Sequence, residues 1–237
     1  MSSGVPRIKA VVMCHNTPDT TDELYRRLSG CFDVTVFDSG SDEDKRPGCP
    51  SERMPNLYWT GCWLEAMRRW GDCDFLWVLG GDVSLRDEPW VYMRAMTSMQ
   101  GYNVSIWSPA INGRALDMMS SAKAVGKVWS VYRLEGQAMA LSKDMMSMIG
   151  RTFPPGNHLG WGVDVWLCWK AWTSGMRNVL DGRVSIGHPE GTGYDVVEAE
   201  KLCERYLFGL VGPSWPVDTR TFPGFERFEC NVRETTM

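Results

Sequence analysis

The stretch FLWVLGGDVSL, residues 75–85, is the strongest indication of the fold. It begins with an unbroken apolar run and ends in Gly80, Gly81 and Asp82. Such a run, without polar alternation, is typical of a central parallel strand that is covered on both faces. The stretch therefore predicts a buried strand that delivers one carboxylate, Asp82, to the edge of a sheet.

Strands and helices alternate on both sides of this stretch. Strands are predicted at residues 8–16, 32–44, 75–85 and 102–109, and helices at 17–30, 60–71 and 87–100. The predicted helices carry Pro or acidic residues near their starts, or Gly after their ends. This order predicts an α/β protein with an open, doubly wound sheet, whose ligands bind at the carboxyl ends of the strands.

The pattern changes after residue 110. A strand over 128–141 and helices over 142–149, 163–175 and 196–210 are predicted there, and a tail rich in Pro and aromatic residues follows. No internal repeat or linker separates the parts. We predict one domain with a first half over 1–110, a second half over 111–210 and a wrapping tail over 211–237.

Composition excludes several classes of protein. Of the 237 residues, 43% are hydrophobic and 23% charged, which is typical of a globular protein. The net charge of -4 gives no overall cationic field for a polyanion. The eight cysteines form no CxxC pair, and no apolar run is long enough to span a membrane. These features predict a cytoplasmic protein with reduced thiols and no membrane span.

Four ordered pieces of the chain resemble a known family. They cover residues 11–28, 36–44, 75–85 and 160–195. Together they resemble the GT-A class of nucleotide-sugar glycosyltransferases, especially the large inverting family that includes rhamnosyl- and glucosyltransferases. The last piece is the most specific, with a Trp-Gly-x-Asp helix start, a following strand and a His-Pro pair. The resemblance implies a GT-A fold that binds a nucleotide sugar.

The resemblance also implies a divalent metal, Mn or Mg. Asp82 matches the final, metal-binding Asp of the family's DxD-like element, and Gly80 stands where the first acid often stands. His188 resembles the late His that completes the metal site. From the residues alone, the alternative for Asp82 is a turn residue after a strand, and the alternative for His188 is a loop residue before Pro189.

Asp164 matches the general base of the family. A base removes the proton of the acceptor hydroxyl while the oxygen attacks the anomeric carbon from the face opposite the leaving group. This attack inverts the configuration of that carbon. The alternative is an Asp in the first turn of a helix, where the helix dipole favours it and would lower its pKa.

The remaining site residues follow from the resemblance and from their places at strand ends. The nucleotide sugar is expected to contact Asn16, Asp38, Ser39, Gly80, Gly81 and Asp82. The acceptor or the donor sugar is expected to contact Glu135, Gln137, Trp161 and Tyr194, with His15 and His158 as weaker candidates. The two glycines are expected to let the nucleotide sugar approach the backbone. Turn chemistry alone is the alternative for Asp38 and Ser39.

The predicted function is an inverting, metal-dependent glycosyltransferase that uses a UDP-sugar. The acceptor stays open between a glycan, a small molecule and a hydroxymethylated base in viral DNA. A rim of basic residues is a candidate DNA contact, and solvated surface charge is its alternative; it consists of Arg68, Arg69, Arg114, Lys123, Lys127 and Arg133. The competing class is a degenerate module that binds sugar nucleotides without turnover.

Overall fold

A computed structural model describes residues 5–112, 128–131, 133–189, 195–211 and 226–227. Its strands are β1 (Ile8–Cys14), β2 (Asp33–Ser39), β3 (Glu52–Met54), β4 (Phe75–Gly80), β5 (Ser84–Leu85), β6 (Val104–Asn112), β7 (Val128–Val131), β8 (Ala140–Ser142), β9 (Arg177–Gly187) and β10 (Glu226–Arg227). Its helices are α1 (Pro18–Leu28), α2 (Tyr58–Trp70), α3 (Pro89–Thr97), α4 (Lys143–Met148), α5 (Val163–Thr173) and α6 (Val196–Val211), with short 3-10 turns at Glu43–Lys45 and Gly136–Ala138.

The described strands form one mixed sheet in the order β10-β7-β9-β6-β8-β4-β1-β2-β3, and β5 pairs with β9 outside this path. The strands β4, β1, β2 and β3 run parallel, which confirms the α/β prediction for the first half. The strand β8 lies antiparallel between β4 and β6. Strands from both predicted halves therefore share one sheet.

The single strand predicted over 128–141 is wrong. Its first part is β7, which pairs with β9, and its last part is β8, which pairs with β4 and β6. These partners lie at different places in the sheet, so one straight strand cannot reach both. The 3-10 turn at Gly136–Ala138 separates the two pieces. The expected contact residues Glu135 and Gln137 consequently lie at a turn and not at a strand end.

The core has two layers, one on each face of the sheet. All six residues of β4 are buried. Leu76 and Val78 join a cluster with α2, α4, α5 and α6, whereas Trp77 and Leu79 join a cluster with α1 and α3. This arrangement explains the unbroken apolar run, because each face of β4 contacts helices.

Two expectations drawn from composition concern the cysteines and membrane spans. The cysteines among the described residues are all free thiols. In the same part of the chain, no helix combines the length and the apolarity that crossing a bilayer requires.

Candidate functional site

The carboxyl ends of three parallel strands lie level at one edge of the sheet. Cys14 of β1 is in register with Asp38 of β2, and Met13 is in register with Gly80 of β4. Polar side chains that follow these strands therefore come together, as the sequence predicts.

Asp82 and His188 meet at this edge. A tight turn follows β4, in which the Gly81 N–H donates to the Met13 carbonyl at 2.8 Å. The next strand, β5, pairs with the end of β9, with Ser84 opposite Gly187. This pairing brings His188 next to Asp82, with 3.2 Å between Nε2 and Oδ2. The two side chains are 20% and 37% exposed, so the pair is open to a ligand.

The pair presents one carboxylate and one imidazole to the edge of the sheet. The hydrogen bond to Asp82 raises the pKa of His188, burial opposes the rise, and the charges of Asp82 and Glu135 add to it. In the described ranges, no group of three or more His, Cys, Asp and Glu side chains could hold a metal. A cation held by Asp82 and His188 would therefore take its other ligands from water and from phosphate oxygens, as Mg²⁺ usually does.

The two glycines at the end of β4 have steric roles within the chain itself. A Cβ at Gly81 would lie 2.6 Å from the Thr17 hydroxyl and 2.9 Å from the Met13 carbonyl oxygen. The chain itself fills the space that a side chain at residue 81 would take, so packing alone requires glycine there. A Cβ at Gly80 would lie 2.7 Å from Oδ1 of Asp82. Gly80 therefore leaves room for the Asp82 carboxylate.

These contacts predict different effects for two alanine variants. Gly81→Ala is expected to destabilise the protein by about 1–3 kcal/mol, because the methyl group meets fixed backbone and two hydroxyl groups. Gly80→Ala is expected to leave stability nearly unchanged but to weaken Mn²⁺ binding about tenfold, since the flexible Asp82 side chain must move. Urea unfolding and Mn²⁺ titration of both variants measure the two effects. Equal stability losses would contradict these roles.

Asp38 and Ser39 are buried at the end of β2, where they hold other groups. The Asp38 side chain is 2% exposed and its Oδ2 lies 2.6 Å from Nη1 of Arg53. Burial works to raise the pKa of Asp38, but hydrogen bonds from Ser41 and Arg53 lower it below its ordinary value. The Ser39 hydroxyl accepts a 2.8 Å bond from the Leu57 N–H. The group at this position that reaches solvent is Arg53, 44% exposed.

Asn16 fixes the loop after β1. It has a left-handed backbone, with φ of 59°, which Asn tolerates better than most residues. Its side chain accepts from the Asp42 N–H at 2.8 Å, and its own N–H donates to Ser41. The neighbouring His15 is exposed, and its Nδ1 lies 2.8 Å from the Ser39 carbonyl.

Asp164 lies in the first turn of α5. The helix begins after Gly162, whose left-handed φ of 87° and contact with Cys203 leave no space for a side chain. Oδ1 of Asp164 accepts from the Val165 N–H at 2.8 Å. Burial raises the pKa of Asp164, and the charge of Arg133 opposes the rise only in part. This shift is opposite to the lowering that the helix-dipole alternative predicts, and a raised pKa makes the carboxylate a stronger base.

The turn at Gly136–Ala138 contacts the loop before Asp164 through one side chain. A Cβ at Gly136 would lie 3.2 Å from the ring of Trp59, and a Cβ at Gly160 would overlap the same ring. Next in this turn, Oε1 of Gln137 is buried and has no hydrogen-bond partner among the described residues. Trp59 therefore joins the turn to the loop that leads to Asp164.

No protein-family model and no curated protein sequence matches the chain. Solved structures do match it. GalNAc-T7 with UDP, GalNAc and Mn²⁺ is 12% identical with a TM-score of 0.61, over 80% of this chain and 44% of that one. A mannosyltransferase from Pyrobaculum calidifontis with GDP-Man and Mn²⁺ is 16% identical with a TM-score of 0.58, over 81% and 59%. Glucosyl-3-phosphoglycerate synthase from Mycobacterium tuberculosis with Mg²⁺ and UDP is 14% identical with a TM-score of 0.59, over 86% and 79%.

These structures are GT-A glycosyltransferases. The chain has the GT-A fold. The fold prediction is thereby confirmed. The chain spans 44% and 59% of the length of the first two of these structures.

In this GT-A fold, seven of the predicted site residues illustrate three different outcomes. Asp82 and His188 are in contact, and Glu135 is close enough to influence the pKa of His188. Asp38, Ser39 and Gly81 are one layer behind the edge, as supports for neighbouring groups. Tyr194 lies outside the described residues.

The sequence does not single out Arg53 and Trp59, although both contact predicted site residues or the segments that carry them. Arg53 is part of the short strand β3, in register with Asp38. The surrounding segment, residues 45–55, contains three prolines, so neither the strand nor the pairing is predicted. Trp59 stands beside the predicted start of α2, where its contacts with distant glycines have no sequence signal.

Two members of the predicted basic rim pair with acids. Arg68 pairs with Glu65, and Arg69 pairs with both Glu65 and Glu52. Three other members of the rim, Arg114, Lys123 and Lys127, lie outside the described residues.

Proposed function

We propose that the chain is a metal-dependent, inverting glycosyltransferase that transfers a sugar from a UDP-sugar to an acceptor hydroxyl. The observation that carries the proposal is the open Asp82–His188 pair at the carboxyl edge of a GT-A sheet. Half-buried Asp164, at the start of α5, supplies a carboxylate whose pKa is raised. The pair and the carboxylate supply the two functions that the reaction needs.

The leaving group sets the first requirement. Breaking the bond between sugar and phosphate releases a nucleoside diphosphate, and a bound divalent cation stabilises its charge by several kcal/mol. Asp82 and His188 are the residues that would hold this cation, and the donor's phosphate oxygens complete an oxygen-rich site. UDP is present in two of the three structures compared above, and GDP-Man in the third.

The attacking hydroxyl sets the second requirement. Asp164 takes its proton as the oxygen attacks the anomeric carbon from the face opposite the diphosphate, and inversion follows from that geometry. A carboxylate with an ordinary pKa is a weak base at neutral pH, so the effect of burial on Asp164 favours this role.

A module that binds sugar nucleotides without turnover is the second candidate function. It is favoured by the pair of residues at the metal site, since the described residues offer no third ligand, and by Gly80 in place of an acid. Donor hydrolysis to free nucleoside diphosphate in the presence of Mn²⁺ separates an enzyme from such a module.

The acceptor class is a separate part of the proposal. A glycan, a small molecule and a hydroxymethylated base in DNA each supply a hydroxyl. The paired states of Arg68 and Arg69 argue against DNA. Retention on duplex DNA that falls steeply with salt would reverse this preference.

A thermal-shift screen of UDP- and GDP-sugars, with and without Mn²⁺, tests donor binding. A donor at about 100 times its Kd stabilises the folded state by about 2.7 kcal/mol. The melting temperature of a protein of this size is then expected to rise by about 5–11 °C, and only when Mn²⁺ is present. Equal shifts without metal, or no shift with any sugar nucleotide, would contradict the proposed function.

A further inference from the structure

The backbone of Tyr58 is in an unusual conformation. Tyr58 is the first residue of α2 and has φ of 52°, in the left-handed region. A bulky residue adopts this conformation only when the surrounding structure enforces it, and such residues cluster at functional sites. Burial of the ring does not compensate for the strain, since Tyr58 is 43% exposed.

The conformation of Tyr58 is fixed from both sides. The Tyr58 N–H donates to Oδ1 of Asn56 at 3.0 Å, and the preceding Leu57 N–H donates to the Ser39 hydroxyl. On the other side, the Trp59 ring fills the space beside Gly136 and Gly160. The fold therefore presents the Tyr58 ring to solvent on a rigid support.

His158 forms the second half of this feature. Its ring is 5.0 Å from the Tyr58 ring and stands at 79° to it. His158 is exposed, and the loop that carries it is held by a 2.6 Å bond from the Thr60 hydroxyl to the Asn157 carbonyl. The Asn157 side chain in turn accepts from the Gly160 N–H. Two exposed rings thus form a rigid corner.

We propose that Tyr58 and His158 bind a sugar ring of the acceptor. This inference rests on the proposed function and names its substrate class: the acceptor is a carbohydrate. The aromatic face carries negative charge density and attracts the C–H groups on the apolar face of a pyranose. The perpendicular imidazole provides a nitrogen for an equatorial hydroxyl at the rim of the sugar. A flat nucleobase would instead fit between parallel rings.

The position of the corner favours the acceptor over the donor. His158 lies in the loop that leads to α5, whose first turn contains Asp164, and Asp164 must reach the hydroxyl that attacks. Trp59 ties Tyr58 to the second half of the chain, through contacts with the turn at Gly136 and the loop at Gly160. A ring held by Tyr58 and His158 therefore lies beside the loop that leads to the proposed base.

Saturation-transfer NMR with methyl hexopyranosides tests the proposal, in the presence of UDP and Mn²⁺. The wild type is expected to show transfer to the C–H protons of at least one methyl hexopyranoside. Tyr58→Ala is expected to lose this signal or weaken affinity at least tenfold, Tyr58→Phe to retain it, and His158→Ala to weaken it several-fold. Trp90→Ala is the matched control, because Trp90 is an exposed aromatic residue on α3, 52% exposed and on the other face of the sheet.

Two further measurements separate a functional role from a structural one. Tyr58→Gly relieves the left-handed strain, so its melting temperature is expected to equal or exceed that of the wild type while saccharide binding is lost. UDP binding with Mn²⁺ is measured in the same variants and is expected to be unchanged. A loss of UDP or uridine binding in Tyr58→Ala would assign the corner to the donor and overturn the proposal.

The outcomes also separate this inference from the proposed function. If the wild type binds no sugar nucleotide with Mn²⁺, the proposed function fails. If it binds the donor but no saccharide, or if saccharide binding is the same in Tyr58→Ala, only the acceptor assignment fails.

Discussion

Asp82→Ala is expected to abolish Mn²⁺-dependent binding of the sugar nucleotide. Asp82 supplies the carboxylate of the two-residue pair with His188, so its removal leaves one imidazole for the cation. We expect the affinity for the donor with Mn²⁺ to fall by at least about 100-fold, which is about 2.7 kcal/mol. Isothermal titration with the donor at fixed Mn²⁺ measures this loss directly.

Two controls isolate the role of the carboxylate. Asp82→Asn preserves the shape and an oxygen but removes the charge, so it should lose most of the metal dependence with no loss of stability. Asp72→Ala removes a surface acid that pairs with Arg7 before the start of β4, at the opposite edge of the sheet. It should leave donor binding unchanged. Full Mn²⁺-dependent binding by Asp82→Ala would disprove the proposed metal site.

Asp164→Asn is expected to bind the donor normally and to lose transfer. The amide oxygen of Asn can still accept from the Val165 N–H, so the start of α5 should be preserved. The variant lacks only the ability to take a proton. Removal of a general base lowers kcat by about 10²–10⁴-fold. Product formation under saturating donor and Mn²⁺, followed by mass spectrometry, measures the loss.

Asp144→Asn is the matched control for Asp164. Asp144 also lies in the first turn of a helix, α4, but it is exposed and is not part of the site. Equal activity of Asp144→Asn and the wild type, with loss in Asp164→Asn, would separate base catalysis from a helix-terminus effect. Transfer by Asp164→Asn at the wild-type rate would exclude Asp164 as the base.

The pH dependence of transfer follows from the same carboxylate. Asp164 acts as a base only when ionised, and its pKa is raised above the ordinary value of 3.8 by burial. Activity should therefore increase as pH rises through this raised pKa. The low-pH limb of the activity profile should lie at higher pH than for a carboxylate with an ordinary pKa. Arg133→Gln removes the nearby positive charge and should move the limb to still higher pH. Cys168 and Cys203 also face this carboxylate, and their own pKa values lie well above neutrality.

The sequence predicts the first half of the fold well because its signals are local. The strand β4 is recognisable from its apolar run, since all six of its residues are buried against helices. The strand β8 is not recognisable as a separate strand. Only its pairing with β4 and β6 distinguishes its three residues from those before them. Pairing between distant segments leaves no periodic pattern in the chain.

The candidate site shows the same division. Asp82 and His188 follow from a strand end and a resemblance, and the structure brings them into contact. The identity of a polar residue at a strand end does not determine whether its side chain faces a ligand or the interior. Asp38 turns inward to hold Arg53, and Gly81 accommodates Thr17. Burial likewise determines the direction of the pKa shift of Asp164, and burial depends on residues far away in the chain.

The placement of β8 and β9 bears on how the protein is made. During synthesis, β4 and β6 emerge long before their partners β8 and β9, which complete the sheet on either side of β6. Until then, the apolar edge of β4 is open to pairing with another chain. Pairing between segments so far apart in the chain is slow, so we expect the sheet to be completed only after residue 187, the end of β9, has left the ribosome.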